Sequence, residues 1–346
     1  MRTDYRVDDL VCGYEFEAIE ATMRVSDRVL KCVVFIGTGK GEKFKPLGTG
    51  FLIRVQYKAA EFPYVVTAMH VLEGAKDEIT IRLNKRNGEP DFMVPPRGWY
   101  YHPDHGRYVD VAVAPIIANP YTHDVIAVRT YEFCKETTVV ARDIGIGEEL
   151  FYPSLFLHHR GRGRNHPVMR FGTLAAMPIE PVITKSGPIK AYLMEGRSIG
   201  GHSGAPVFVN FFAPRTYHHE RPVPLPTPAE AAMPYRLLGL LRSYLKAKDS
   251  GEYLTDEPTT EDLWINSGIS TIVPADEIIE VLMQSDLTEL RMADEKRLVE
   301  GLDVPTAGRV TDDSGASADD ANPNHLADFT RLVDVAARKR TQGDQT

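Results

Sequence analysis

The chain is poor in cysteine and tryptophan, carries no long apolar run and has no excess of basic residues. Its three cysteines, Cys12, Cys32 and Cys134, are scattered over 346 residues, and it has two tryptophans. No Cys-x-x-Cys pair occurs, so neither a common zinc-site spacing nor a disulfide framework is indicated. No stretch reaches the roughly 18 apolar residues that a membrane-crossing helix needs. The segment from Met1 to Asp9 lacks the apolar centre of a signal peptide. Lys and Arg number 40 against 48 Asp and Glu, a net charge of −8, which disfavours nucleic acid as a partner. These absences lead to the expectation of a cytoplasmic protein with no nucleic-acid and no membrane partner.

What is present fits a folded, mainly β chain. The hydrophobic fraction is 43% and the charged fraction 25%, ordinary for a globular protein, and the length suggests about two domains. From Cys32 to Pro120, short β runs alternate with Gly, Pro and Asp, including Val33 to Ile36, Phe51 to Val55, Tyr64 to Val66, Ile79 to Leu83 and Val109 to Ile116. A second set runs from Thr138-Val139-Val140 through Glu149 to Tyr152, Met169 to Leu174, Ala191 to Met194 and Val207 to Phe211, with more near 240 and 270. Short strands at this spacing predict barrels or sandwiches.

Residues 8–30 predict a leading amphipathic helix, with Phe16, Ile19, Met23 and Leu30 near helical spacing. Two insertions stand out. Residues 213–234 hold Pro214, Pro222, Pro224, Pro226, Pro228 and Pro234, too many for a paired strand. Residues 245–267, the second, are polar and acidic. After residue 300 the composition is too poor in apolar residues to fold alone, until Leu326, Phe329, Leu332, Val333 and Ala336 share one helical face. Such a tethered helix would dock either on its own protein or on a partner.

The chemistry concentrates in Gly200-Gly201-His202-Ser203-Gly204-Ala205-Pro206, which leads into Val207-Phe208-Val209. A serine between glycines exposes its hydroxyl and leaves nearby backbone N–H groups able to point at a substrate oxygen. Two upstream segments complete a set. Thr67-Ala68-Met69-His70 closes an apolar run, and Asp110 opens another, Val111 to Ile116. A histidine there can act as general base toward a serine, and a buried aspartate can fix its tautomer. Asp104 and Asp124 are rivals, but both sit in loop-like sequence. A nucleophile elbow of an ester hydrolase would need a final glycine and a following helix. Gly201 to Ala205 has neither.

The order His, Asp, Ser and the wording around each residue resemble the trypsin-like serine peptidases, in particular the bacterial Htr-like branch. Further likenesses are Gly48-Thr49-Gly50-Phe51-Leu52-Ile53, Leu237 to Leu241, and Gly268 to Pro274 running into Ala275 to Leu282. The resemblance covers roughly residues 28–290. It implies two antiparallel six-stranded β-barrels of chymotrypsin type, with N- and C-terminal helices. The expected layout is a helical leader over 1–30, a first barrel over 31–125 carrying His70 and Asp110, and a second barrel over 126–275 carrying Ser203. A C-terminal helix over 276–300 follows, then a disordered linker and short helix over 301–346.

The implied activity is a serine endopeptidase using His70, Asp110 and Ser203, with an oxyanion hole from the N–H groups of Gly201 and Ser203. Leu241, Arg242, Ser243 and Gly268 are the implied substrate-binding residues, and Arg197 lies near the implied pocket base. Neither metal nor organic cofactor is expected. The partners would be a protein or peptide substrate and an activating partner near the cleft or on the C-terminal helix. The alternatives are a catalytically silent scaffold of the same fold and a hydrolase of small esters. One departure stands out: His202 occupies the place where digestive relatives keep an aspartate for a newly cut N-terminus. The remaining histidines, His102 and His105 among them, read as solvated loop residues rather than a metal set.

Overall fold

The computed structural model describes residues 25–58, 60–73, 75–104, 109–119, 121–184, 187–196, 201–210, 234–248 and 264–300. Most of the expected N-terminal helix, the proline-rich insertion, Arg197, His105 and the tail after residue 300 lie outside them. The only helical piece described at the start is α1, Asp27–Leu30.

The first half is one mostly antiparallel sheet. Its strands are β1 (Val33–Thr38), β2 (Lys45–Tyr57), β3 (Ala60–Thr67), β4 (Ile79–Asn84), β5 (Pro90–Met93), β6 (Tyr100–Tyr101), β7 (Ala112–Pro115) and β8 (Val128–Arg129). They follow the order β5-β4-β1-β2-β3-β7-β6, with β8 added parallel to β2. A closed first barrel was expected, and the sheet instead stays open. Among the described residues the strands at its two ends, β5 and β6, are four and two residues long and do not pair with each other.

The second half does close. Strands β9 (Glu149–Ser154), β10 (Val168–Ala176), β13 (Tyr192–Glu195), β14 (Pro206–Asn210), β15 (Tyr235–Lys248) and β16 (Trp264–Pro274) form a six-stranded barrel. A small ribbon of β11 (Val182–Thr184) and β12 (Gly187–Ile189) is inserted between β10 and β13. Side-chain alternation explains how the barrel meets the sheet. Leu150, Tyr152, Val207 and Val209 fill the barrel interior. Their neighbours Phe151 and Phe208 point the other way, into the core continuous with Phe51, Ile53 and Val128 of the sheet. Phe151 and Phe208 stack at 5.5 Å, and Tyr235 meets both rings edge-on. Burying each such ring contributes about 1.5–3 kcal/mol, so this aromatic trio holds the two halves together.

Two local expectations are corrected, and one insertion proves to be partly strand. Thr138-Val139-Val140 is not a strand but part of α3, Glu136–Ala141. Only Val139 on it is buried and Val140 is exposed, the one-sided burial of a surface helix. The polar insertion 245–267 is strand at both its ends, where β15 and β16 pair with Lys246 opposite Asn266 and Lys248 opposite Trp264. The C-terminal helix is two helices, α4 (Ala275–Leu282) and α5 (Ser285–Val299), broken at Met283 and Gln284. Ala275, Ile278, Val281 and Leu282 line one face of α4 and join the shared core. Arg291 of α5, itself buried, donates to the Tyr64 hydroxyl of β3 at 3.0 Å and to the Leu282 carbonyl at 2.6 Å. No helix among the described residues is long and apolar enough to cross a membrane.

Candidate active site

β3 ends at Thr67, and the chain turns directly into the short helix α2, Met69–Glu73, which carries His70. A strand end was expected for this histidine, and a first helical turn is found. β7 runs antiparallel to β3 with Ala112 opposite Thr67. Continuing that register two residues back along β7 places Asp110 beside the start of α2. The Asp110 carboxylate accepts the His70 backbone N–H at 3.0 Å on one oxygen and Nδ1 of the ring at 2.6 Å on the other. Asp110 is 5% exposed, whereas the His70 side chain is 40% exposed. Burial pushes the Asp110 carboxyl up, but His70, through its hydrogen bonds and charge, and the charge of Arg242 together hold it below the usual carboxylate range. An ionised carboxylate can only accept, so the proton of the neutral ring sits on Nδ1 and Nε2 keeps a lone pair.

Ser203 comes from the barrel side, in a turn fastened to β2. The Thr49 N–H donates to the Ser203 carbonyl at 2.9 Å, and the Thr49 hydroxyl donates to the Gly201 carbonyl at 2.7 Å while accepting the Leu155 N–H at 2.9 Å. The Thr67 hydroxyl donates to the Thr49 carbonyl at 2.7 Å. Thr67 is three residues before His70, so one chain of bonds joins the serine turn to the strand that delivers the histidine. The approach is close. A Cβ on Gly48 would lie 2.8 Å from the Val71 side chain and 3.1 Å from the Ser203 carbonyl. Gly204 has φ +86°, and a Cβ there would collide with the Thr49 carbonyl and the Thr67 hydroxyl.

Neither the Gly201 nor the Ser203 N–H donates to a protein acceptor among the described residues, as an oxyanion site requires. No hydrogen bond within 3.5 Å joins His70 Nε2 to Ser203 Oγ. His202, between Gly201 and Ser203, turns inward and is fully buried, with its ring edge-on to Tyr152 at 5.9 Å. Burial, with the nearby Arg170 charge, pulls its pKa down to about 4, so it is neutral at pH 7.

The other expected residues are distributed differently. Leu241 is fully buried in the barrel, its N–H donates to Ala205 O and its carbonyl accepts from Gly204 N, both at 2.8 Å. It therefore holds the serine turn rather than meeting substrate, a correction to its expected role. Arg242 is the extra residue of a bulge, because Leu241 pairs with Ile272 and Ser243 with the adjacent Thr271. Its Nε donates to Asp110 Oδ2 at 3.2 Å. The half-buried Ser243 accepts the Thr271 hydroxyl on its carbonyl at 3.2 Å. Gly268, φ +80°, borders open space, since a Cβ there would meet no atom within 4 Å.

Neither rival aspartate is bonded to His70. Asp124 pairs with Lys31 at 2.6 Å and Arg164 at 3.2 Å, and the Asp104 N–H donates to Nδ1 of His102. His102 and His123 are not solvated as expected but buried. His123 reaches Asp91 at 2.9 Å, and His102 lies with Glu277 and Glu280 in a group whose ligand atoms fall within 4.8 Å of one another. Because Nδ1 of His102 accepts the Asp104 N–H, the neutral ring's proton is on Nε2 and goes to Glu280 at 2.9 Å. That tautomer leaves Nε2 no lone pair for a cation.

Sequence reasoning missed Thr49, Thr67 and the inward turn of Arg242. Thr49 left one trace, a hydroxyl between two glycines on an otherwise apolar strand; Arg242 left none, since a bulge cannot be read from one strand alone.

No known family description matches the chain, and no curated protein matches it. Among solved structures it is similar to the MamO protease domain from Magnetospirillum magneticum in its apo form, at 14% identity and TM-score 0.45, covering 74% of this chain and 98% of that one. It is also similar to Rv3671c from M. tuberculosis H37Rv, solved as an inactive serine-to-alanine mutant, at 15% identity and TM-score 0.37, covering 73% of this chain and 86% of that one. Its structural neighbours thus include a protease domain.

Proposed function

We propose that the protein is a trypsin-like serine endopeptidase that cleaves peptide bonds through an acyl-enzyme on Ser203. The observation that carries this reading is the 2.6 Å bond from His70 Nδ1 to the buried Asp110, which leaves the Nε2 lone pair available as the base. Ser203 Oγ attacks the scissile carbonyl as its proton passes to His70 Nε2. The imidazolium is steadied by the Asp110 carboxylate, which stays ionised throughout. The Gly201 and Ser203 N–H groups take the developing oxyanion, and His70 returns the proton to the leaving amine. Water then repeats the sequence on the acyl-enzyme. Every group in this scheme is a side chain or backbone N–H of the chain, so no cofactor enters it. The two halves correspond to the two β units of the chymotrypsin fold, the substrate is protein or peptide, and the site of action is the cytoplasm.

A second reading, a protease-fold binding protein without turnover, draws on the lack of a hydrogen bond between His70 Nε2 and Ser203 Oγ. Resting peptidases also leave this bond long until substrate arrives. Labelling of purified protein by a fluorophosphonate decides between them. Adduct on Ser203, absent in Ser203→Ala, is the expected result; an unlabelled protein that cleaves no peptide would overturn the peptidase reading.

A further inference from the structure

Among the described residues, Arg242 is the cation that reaches the buried carboxylate of the candidate site from the opposite half of the molecule. The bulge on β15 turns its side chain out of the ladder, and the guanidinium is largely buried, with 15% of the side chain exposed. Asp110 therefore accepts three donors: the His70 N–H, His70 Nδ1 and Arg242 Nε. Two of them share Oδ2. Leu241, the preceding residue, is bonded to Gly204 and Ala205. A path of adjacent bonds thus runs from Asp110 through Arg242 and Leu241 to the turn holding Ser203.

We propose that Arg242 is a positioning residue that locks Asp110 against His70 from the barrel side, and that its permanent charge competes with the imidazolium for the same carboxylate oxygen. This rests on the peptidase reading. A guanidinium on the oxygen that also accepts the ring N–H weakens the field that Asp110 exerts on the ring. The other charged groups on the flanking elements are Glu73, exposed at the end of α2, the exposed Asp104, and His102, whose ring reaches Glu280 and accepts the Asp104 backbone N–H.

The test is the rate of Ser203 modification by a fluorophosphonate as a function of pH, in the full chain. Arg242→Gln is expected to lower the plateau rate about tenfold through looser positioning and to move the acid limb of the profile up by about one pH unit. Arg242→Lys keeps the charge and loses the fork, so its plateau falls while the limb stays in place. A plateau loss in Arg242→Gln with an unmoved limb would reduce Arg242 to a structural role and overturn the proposal. So would a limb in Arg242→Lys that moves as far as in the glutamine variant, and the lysine variant serves alone if glutamine is not tolerated. The low-field proton resonance of the His70–Asp110 hydrogen bond supplies a readout independent of activity. It should change position in Arg242→Gln, and no change overturns the proposal even if Ser203 never reacts. Failure of the wild-type chain to label, with that resonance shifting as expected, sinks the peptidase reading alone.

Discussion

The backbone N–H of Thr49 donates to the carbonyl of Ser203 at 2.9 Å, joining a strand of the open sheet to the serine turn of the barrel. The same residue holds the Gly201 carbonyl and the Leu155 N–H with its hydroxyl. Placement of the serine relative to the histidine therefore depends on one fully buried threonine and on its bond from Thr67.

Thr49→Val keeps the shape and removes the hydroxyl. The Gly201 carbonyl and the Leu155 N–H then lose a partner in a dry environment, at about 1–3 kcal/mol for each orphaned group. We expect denaturant unfolding to show a loss of about 2–4 kcal/mol and Ser203 labelling to slow. A variant as stable and as reactive as wild type would show that these bonds hold nothing in place.

Gly204→Ala should be worse than an ordinary surface change. Its left-handed φ is strained for alanine, and its Cβ would collide with the Thr49 carbonyl and the Thr67 hydroxyl. A loss of at least about 2 kcal/mol is expected in equilibrium unfolding. Gly88→Ala is the control: it too has positive φ, but a Cβ there meets nothing within 4 Å, so it should cost less. Equal costs at the two positions would rule out the collision.

Asp110→Asn should lower turnover by about four orders of magnitude, because an amide favours the wrong His70 tautomer. Asp124→Asn should loosen its pairs with Lys31 and Arg164 and leave turnover near wild type. Asp104→Asn should also do little, since it is the backbone N–H of Asp104 that meets His102. Steady-state kinetics on a peptide substrate checks the ranking, and the reverse order would assign the orienting carboxylate elsewhere.

His202 gives stability an acid dependence of its own. In the unfolded chain a histidine takes up its proton near 6.5, and in the folded protein His202 does so only near pH 4. Between those values the unfolded state binds more protons, so the stabilisation is complete above about pH 6.5 and is lost as pH falls toward 4. The difference amounts to about 2–4 kcal/mol. His202→Phe should flatten that part of a stability–pH curve measured by urea unfolding; a curve parallel to wild type would mean that His202 is not the group responsible.

Much of this molecule is readable from order and alternation along the chain. The alternation Leu150-Phe151-Tyr152 and Val207-Phe208-Val209 announces strands with two buried faces, because successive side chains leave a strand on opposite sides. A serine between glycines, and a histidine and an aspartate each bordering an apolar run, mark candidate chemistry because few other settings call for those types there. What the chain order could not decide is set by contacts between residues far apart in it. Closure of the second sheet, and among the described residues not of the first, is decided by which edge strands pair. The β preference of Thr138, Val139 and Val140 gave way to helix in α3, where Val139 alone is buried. The selection of Asp110 over Asp124 follows from antiparallel register with β3, and from Lys31 and Arg164 claiming Asp124. Arg242 turns toward Asp110 because a bulge shifts β15 by one residue against β16, and one residue of slip sends a side chain to the opposite face.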